Sequence, residues 1–534
     1  MSFQDKSIQC SDCSTTFTSR TDEQELFASQ GCTNGPKRCL QCRQASKSEC
    51  YENNSHGSRL RMSPAVSPEC VKDNEVPSEA LDDNTVLRRQ LKGIERYFLR
   101  CPNANLIVVA QIRGFISSHQ LEAVLHKLRR KHPLLGVRIS LDHRNIAWLT
   151  SEGVPENLVH VEQRAAEDSD AWIHRVNEEQ KFCFPLDKGP LIRFVLFNYP
   201  QNSHLIINCH HSICDGLSIT YLLHDILSHT GNPGGRLEST VASVVTENTK
   251  LPASASISLF QKIRMKVLNR LWERKNISFS EDDYGALHHK YWSRLKDNSI
   301  LSWGLTELQT SAFVSRCRKE NVTVNSAIVT AFMAAQRNIQ GTRPSYLSTV
   351  SMPVDIRNRF SPHIGEVFGL YVSSVKATFN YSMKTSFWSN VRKIHKRINK
   401  KLTDKSVFML PQQTRYMHST LIDSIYFIKY GLLRNRIASF FLRFSGVNKL
   451  NTGLEISNIG KYKFPVDYGS LKLEAIFVPV FLSDYQEKCL RVISVGRKMF
   501  FTLTFWDSII DKITAEKIRD MSMTYLSRAT GWVC

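Results

Sequence analysis

The stretch LIINCHHSICDGLSITYLLHDIL, residues 205–227, decides the fold. Its start is an aliphatic run that reads as a strand ending at Cys209. Its end is an amphipathic helix that begins near Leu217 and stops before the Gly-Asn-Pro-Gly-Gly run at 231–235. Between them stand His210, His211, Asp215 and Gly216. A strand-to-helix turn projects a side chain into a cavity, and a neutral imidazole there can take the proton of a hydroxyl, amine or thiol attacking an acyl carbonyl. With an ordinary pKa of about 6.5, histidine is mostly in its basic form at neutral pH. Asp215, four residues after His211, suits anchoring the turn on an arginine better than relaying protons. Gly216 removes a side chain where substrate or backbone comes close. The alternative is a strand end with two core histidines, followed by an aspartate that caps a helix. The stretch alone leaves both open.

Outward from it, strands and helices alternate. NLIVVAQIRG (105–114) is a strand, and SSHQLEAVLHKLRRKHPLLGVRISLD (117–142) gives a Ser-capped helix, a proline stop and a second strand. PLIRFVLFNYP (190–200) and the run into His210 are strands joined by a Pro-Gln-Asn turn. Residues 229–290 are less regular and carry the basic stretch LFQKIRMKVLNRLWERK. A second α/β half follows, with the helix TVNSAIVTAFMAAQRNI, the strand PSYLSTVSMPVD and the loop IRNRFSPHIGEVFG. The strands GLEISNIGKY, LKLEAIFVPVFL, LRVISVG and MFFTLTFW and a last helix close the chain. FWSNVRKIHKRINKKLTDK (387–405) is a basic amphipathic helix with a solvated face. IYFIKYGLLRNRIASFFLRFSG (425–446) is apolar and aromatic with only positive charges. It is either a buried helix or lid over a lipid-binding tunnel, or a segment lying on an anionic membrane surface.

The chain has 534 residues, enough for about three units at the usual domain size. Its formal charge of +21 is uneven: residues 1–86 hold 9 Lys/Arg against 13 Asp/Glu, leaving +25 for the rest. A basic body suits nucleic acid, anionic lipid, or a phosphate-bearing cofactor or carrier protein. The N-terminus, MSFQDKSIQC, lacks a basic segment followed by an apolar core, and no run is long and apolar enough to span a bilayer. A reducing cytoplasm is therefore expected, with surface membrane contact as the second reading.

Seven of the 14 cysteines fall in the first 70 residues. Cys10-Ser-Asp-Cys13 and Cys39-Leu-Gln-Cys42 form two C-x-x-C knuckles, which together supply four thiolates for a tetrahedral structural zinc. A module this small has little core, so the metal would supply much of its stability. DKSIQCSDCSTTFTSRTDEQELFASQG followed by GPKRCLQCR resembles a small bacterial zinc-ribbon family over roughly residues 3–46. Cys32 stands where that pattern has a hydrophobic residue and offers a spare thiol. The module shows little aromatic interleaving, and nucleic acid is not the expected partner. Residues 47–86, rich in Ser, Pro, Asn and acidic residues, read as a flexible linker.

From 87 to 534 the chain resembles the condensation-domain and alcohol acyltransferase superfamily, which has the chloramphenicol acetyltransferase-like fold. Five motifs carry this in order: LHKLRRKHPLLGVRI, FPLDKGPLIRFVLF, HHSICDG, MPVDIRNR and ISNIG. The resemblance implies a two-lobed α/β body, with lobes at 87–235 and 290–534 and a crossover at 236–289. It implies His211 as general base, Asp215 as the brace of the loop, His210 as a buried support and Arg357 or Arg359 as the partner of Asp215. The site would lie midway along a tunnel, with donor and acceptor entering from opposite faces and no metal or acyl-enzyme needed. The chain lacks the D-F-G-W-G of the plant branch and shows no serine motif for a phosphopantetheine arm. The expected activity is transfer of an acyl group from acyl-CoA or an acyl carrier protein to a small alcohol or amine. The alternatives are a free-standing condensation enzyme joining carrier-bound substrates and a non-catalytic interaction module.

Overall fold

The computed structural model describes residues 6–10, 16–19, 86–91, 93–164, 171–232, 251–295, 298–445, 447–479 and 483–532. The chain divides into two compact units, Met1–Ala80 and Leu81–Cys534. In the first, the strands Lys6–Gln9 and Thr16–Ser19 pair antiparallel, with Gln9 opposite Thr16. Cys10 follows the first of them and is buried. Cys13, Cys32, Cys39, Cys42 and nearly all of the expected linker lie outside the described residues.

Among the described residues of the second unit, two six-stranded sheets dominate. The first runs in the order Asp467–Tyr468, Leu471–Phe477, Asn105–Arg113, Asn202–His210, Ile192–Asn198 and Val159–Gln163. Asn202–His210 pairs antiparallel with a neighbour on each side, and its side chains from Ser203 onward are all buried. A central strand covered on both faces needs an unbroken apolar run rather than alternation, which is what residues 205–207 provide. The second sheet runs Asn298–Leu305, Lys498–Trp506, Lys488–Val495, Leu454–Lys461, Thr349–Asp355 and Val372–Thr378. Lys488–Val495 and Leu454–Lys461 are parallel neighbours there.

One segment departs from a division of the body at residue 290. Leu471–Phe477, within the stretch expected to build the second lobe, pairs antiparallel with Asn105–Arg113 and extends the first sheet. Gly231 shows how closely this strand's hairpin is held. A Cβ there would sit 2.0 Å from the carbonyl oxygen of Tyr468, so only glycine lets the helix end meet it.

The region read as less regular contains two helices, Leu259–Glu273 and Glu281–Leu295. Ser258 and Gln261 form a reciprocal capping box on the first, a Ser-x-x-Gln signal present in the sequence. The apolar stretch at 425–446 is two helices, Ser419–Lys429 and Arg436–Ser445, separated by a turn in which Gly431 has φ +71°. The first is buried from Thr420 to Phe427, whereas Phe440 in the second is half exposed. Phe387–Lys401 buries Trp388, Val391, Ile394 and Ile398 and turns its lysines outward. Among the described residues no helix is long and apolar enough to cross a membrane.

Candidate active site around His211

Asp215 caps the helix Gly216–Gly231, its Oδ1 accepting from the Ser218 backbone N–H at 2.9 Å. This leaves residues 211–214 as a tight turn between the end of the histidine strand and the helix. The backbone N–H of His211 donates to the Ala104 carbonyl at 2.7 Å, which pins the turn to the neighbouring strand.

The His211 ring is fixed twice. Nδ1 lies 2.7 Å from the Cys214 carbonyl oxygen, an acceptor only, so Nδ1 carries the proton of the neutral ring and Nε2 keeps its lone pair. The ring also stacks on Phe98, with centroids 4.2 Å apart and planes 26° from parallel. Burial holds its pKa below the ordinary histidine value, against the Cys214 hydrogen bond and the Asp215 charge, which raise it; the Arg491 charge lowers it further. His210 faces the core. Its Nδ1 accepts from the Ser212 backbone N–H at 3.3 Å, Nε2 has no partner among the described residues, and burial takes its pKa down to about 3.

Asp215 is 3% exposed and meets Arg357, whose Nη1 lies 2.9 Å from Oδ2 and whose Nη2 donates to Oδ1 at 3.0 Å. The Tyr371 backbone N–H donates to Oδ2 at 2.8 Å. Burial alone would raise the Asp215 pKa, but Arg357 and these N–H donors hold it below the ordinary value. Arg357 also donates to Ser218 Oγ at 2.7 Å, pairs with Asp355 and lies over the Tyr371 ring. Arg359 points elsewhere, to Asp404 and the Leu402 carbonyl. Of the two arginines of VDIRNR, Arg357 is the one that reaches Asp215.

A cavity of about 140 Å³ opens at His211, lined from the first sheet by Leu106 and from the second by Pro353, Ser457 and Arg491. Phe98 and Tyr426 complete the wall near His211 and on the helix Ser419–Lys429. Gly216 also faces this space. A Cβ there would meet only Ile459 Cδ1, at an ordinary 3.6 Å, so the glycine keeps the cavity wide and does not admit a close backbone. Cys101 lines the cavity, yet burial pushes its thiol up to about 12, which leaves no thiolate for attack at neutral pH. A larger depression, about 310 Å³, lies against Phe387–Lys401, but its walls hold lysines and an arginine and no base. Of the two, the smaller is the one that a histidine lines.

The motif reading passed over Glu455 and Arg491, both in the cavity wall and ion-paired at 2.5 Å. Their signal was present: each is a charge set between aliphatic residues, Leu454 and Ile456 for Glu455 and Leu490 and Val492 for Arg491. Of the proposed zinc ligands the structure places Cys10 alone. Among the described residues no cluster of three or more His, Cys, Asp or Glu side chains could hold a metal.

Comparison with known proteins agrees with this architecture. Residues 103–232 match the family model described as "Condensation domain". The solved structures of a trichothecene 15-O-acetyltransferase from Fusarium sporotrichioides and of the first condensation domain of the CDA synthetase superpose with TM-scores of 0.57 and 0.56. They cover 84% and 83% of this chain and 96% of each other chain, at 12% and 14% identity. The body has the condensation-domain fold. The epimerization domain from the third module of tyrocidine synthetase B shares this condensation-domain fold, with a TM-score of 0.55 over 84% of this chain and 97% of its own, at 14% identity. By sequence, the condensation-like body is similar to a linear gramicidin synthase of Brevibacillus parabrevis, 25% identical over 46% of this chain. It is also similar to a cyclosporin synthetase of Tolypocladium inflatum, 22% identical over 50% of this chain. These matches span 4% and 2% of the two relatives' lengths. Residues 4–50 match a model described as "Probable treble clef domain", which takes in both cysteine knuckles.

Proposed function

We propose that the chain is an acyltransferase that moves an acyl group from a thioester to an alcohol or amine, with His211 as general base. The observation that carries this is the His211 tautomer: with Nδ1 tied to Cys214, the basic Nε2 belongs to a ring in the wall of a sheltered cavity. As the acceptor attacks the acyl carbon, Nε2 takes its proton. The carbonyl pair moves to oxygen, then returns as the carbon–sulfur bond breaks, and the leaving thiolate takes the proton from His211. Asp215 and Arg357 are positioning residues that hold the turn, and His210 is a buried neutral support. The donor is acyl-CoA or an acyl carrier protein, and the acceptor a small alcohol or amine.

A free-standing condensation enzyme joining two carrier-bound substrates would use the same base. The peptide synthetases among the relatives favour that second reading. The test is His211→Ala in the full chain, assayed with a panel of acyl-CoAs and acyl-loaded carrier proteins. Transfer should drop by about 10²–10⁴, the usual contribution of a general base. Full activity in the variant would overturn the assignment. For the N-terminal unit we infer a structural zinc held by Cys10, Cys13, Cys39 and Cys42, since four thiolates in two C-x-x-C pairs are the donor set of a closed zinc site.

A further inference from the structure

Arg491 stands in the strand Lys488–Val495, with Ser457 of the parallel neighbour opposite it and Glu455 opposite Cys489. The side chain is 9% exposed. Nη2 donates to Glu455 Oε1 at 2.5 Å, while Glu455 Oε2 accepts from Gln486 Nε2 at 2.5 Å. Nη1 is buried with no hydrogen-bond partner among the described residues. Arg491 and His211 line the same cavity. A buried guanidinium N–H left unmatched is costly, and this one belongs to a residue that lines the cavity, where a bound group can match it.

We propose that Arg491 Nη1 donates the hydrogen bond that holds the acyl carbonyl oxygen as it becomes an oxyanion, which makes Arg491 a catalytic residue of the acyl transfer proposed above. The inference rests on that reading. Charge balance selects this ligand over a permanent anion. Glu455 cancels the Arg491 charge, and His211 is neutral in the resting site, so a carboxylate or phosphate would bring an uncompensated charge into a buried space. A thioester carbonyl brings none. In the addition step the acceptor O–H bond breaks, its proton goes to His211 Nε2, the new carbon–oxygen bond forms and the carbonyl pair moves onto oxygen. Imidazolium and oxyanion therefore arise together and the cavity stays balanced. In the collapse the carbon–sulfur bond breaks, the oxyanion pair reforms the carbonyl, and the thiolate carries the proton away. A fixed donor in a sheltered site is worth most at the moment charge develops.

The test uses the full chain with p-nitrophenyl acetate as a small acyl donor and ethanol as acceptor, following p-nitrophenolate release. Removing Arg491 alone strands the Glu455 carboxylate, so the informative variant is the neutral double change Glu455→Gln with Arg491→Met, which leaves no donor at position 491, its fold checked by circular dichroism. That variant should lose about 10²–10³ in kcat, the usual effect of one oxyanion donor, with KM little changed. Glu455→Gln alone keeps the donor, so the further loss of kcat from this single variant to the double variant is the share assigned to Arg491. An unchanged kcat in the folded double variant, or a loss confined to KM, overturns the role of Arg491. A full rate in His211→Ala overturns the acyl-transfer reading instead.

Discussion

Arg357 and Asp215, 142 residues apart in the chain, close a buried two-point ion pair at 2.9 and 3.0 Å. Arg357 follows the strand Thr349–Asp355 of the second sheet, and Asp215 caps the helix that follows the histidine strand of the first. The pair thus ties the His211 turn to the other sheet. Arg357→Ala would leave Asp215 as an uncompensated buried charge and should cost about 3–5 kcal/mol of stability by urea unfolding. The joint change Asp215→Asn with Arg357→Met should recover most of that loss, because no charge then stays buried. Equal destabilisation by single and double variants would show that the pair does not act as a unit.

Acid should weaken this arrangement. The folded Asp215 carboxyl titrates below its ordinary value, so the unfolded chain binds its proton at higher pH than the folded one. The stability it contributes is complete above the ordinary carboxylate value, about 4, and is lost as pH falls through the folded value. Comparing unfolding midpoints of the native chain and the Asp215/Arg357 double variant between pH 5 and pH 3 checks this. The native chain should lose more over that interval.

The proposed base has its own pH signature. Burial lowers the His211 pKa, so the acid limb of kcat/KM should bend below the ordinary histidine value of about 6.5. A pH–rate profile measures it directly. An inflection above 6.5 would be inconsistent with a base held neutral by burial.

Gly216→Ala separates room for substrate from room for backbone. The added methyl meets only Ile459 at 3.6 Å, so stability should change by less than about 0.5 kcal/mol. The cavity narrows, so KM should rise more for long acyl donors than for acetyl. Severe unfolding of this variant would mean that close packing, not cavity width, requires the glycine.

The cysteine module is tested by elemental analysis of the intact chain, where one zinc per molecule is expected. Replacing Cys39 and Cys42 together with serine removes half of the thiolate set and should abolish zinc retention. A variant that still carries stoichiometric zinc would refute the assignment.

Much of the fold was legible locally because a strand or helix is encoded by neighbouring residues. The run to His210, the Asp215 cap and the helix to Gly231 follow from periodicity and capping chemistry within one stretch. The capped helix Leu259–Glu273 was equally encoded, but its mixed basic and apolar face obscured the period. The turn at Gly431 was hidden inside an apolar run whose composition speaks of burial and not of direction.

What the sequence by itself determined was the alternating α/β pattern, the strand–turn–helix that carries HHxxxDG, and the paired cysteine knuckles. The tertiary structure alone decided which arginine of VDIRNR meets Asp215, that Leu471–Phe477 crosses into the first sheet, and that Glu455 and Arg491 share a wall with His211. The physical reason is range. Backbone preference and side-chain periodicity act over a few residues, whereas ion pairs and sheet order depend on segments that meet only when the chain has folded, and a strand's own pattern does not name its neighbour.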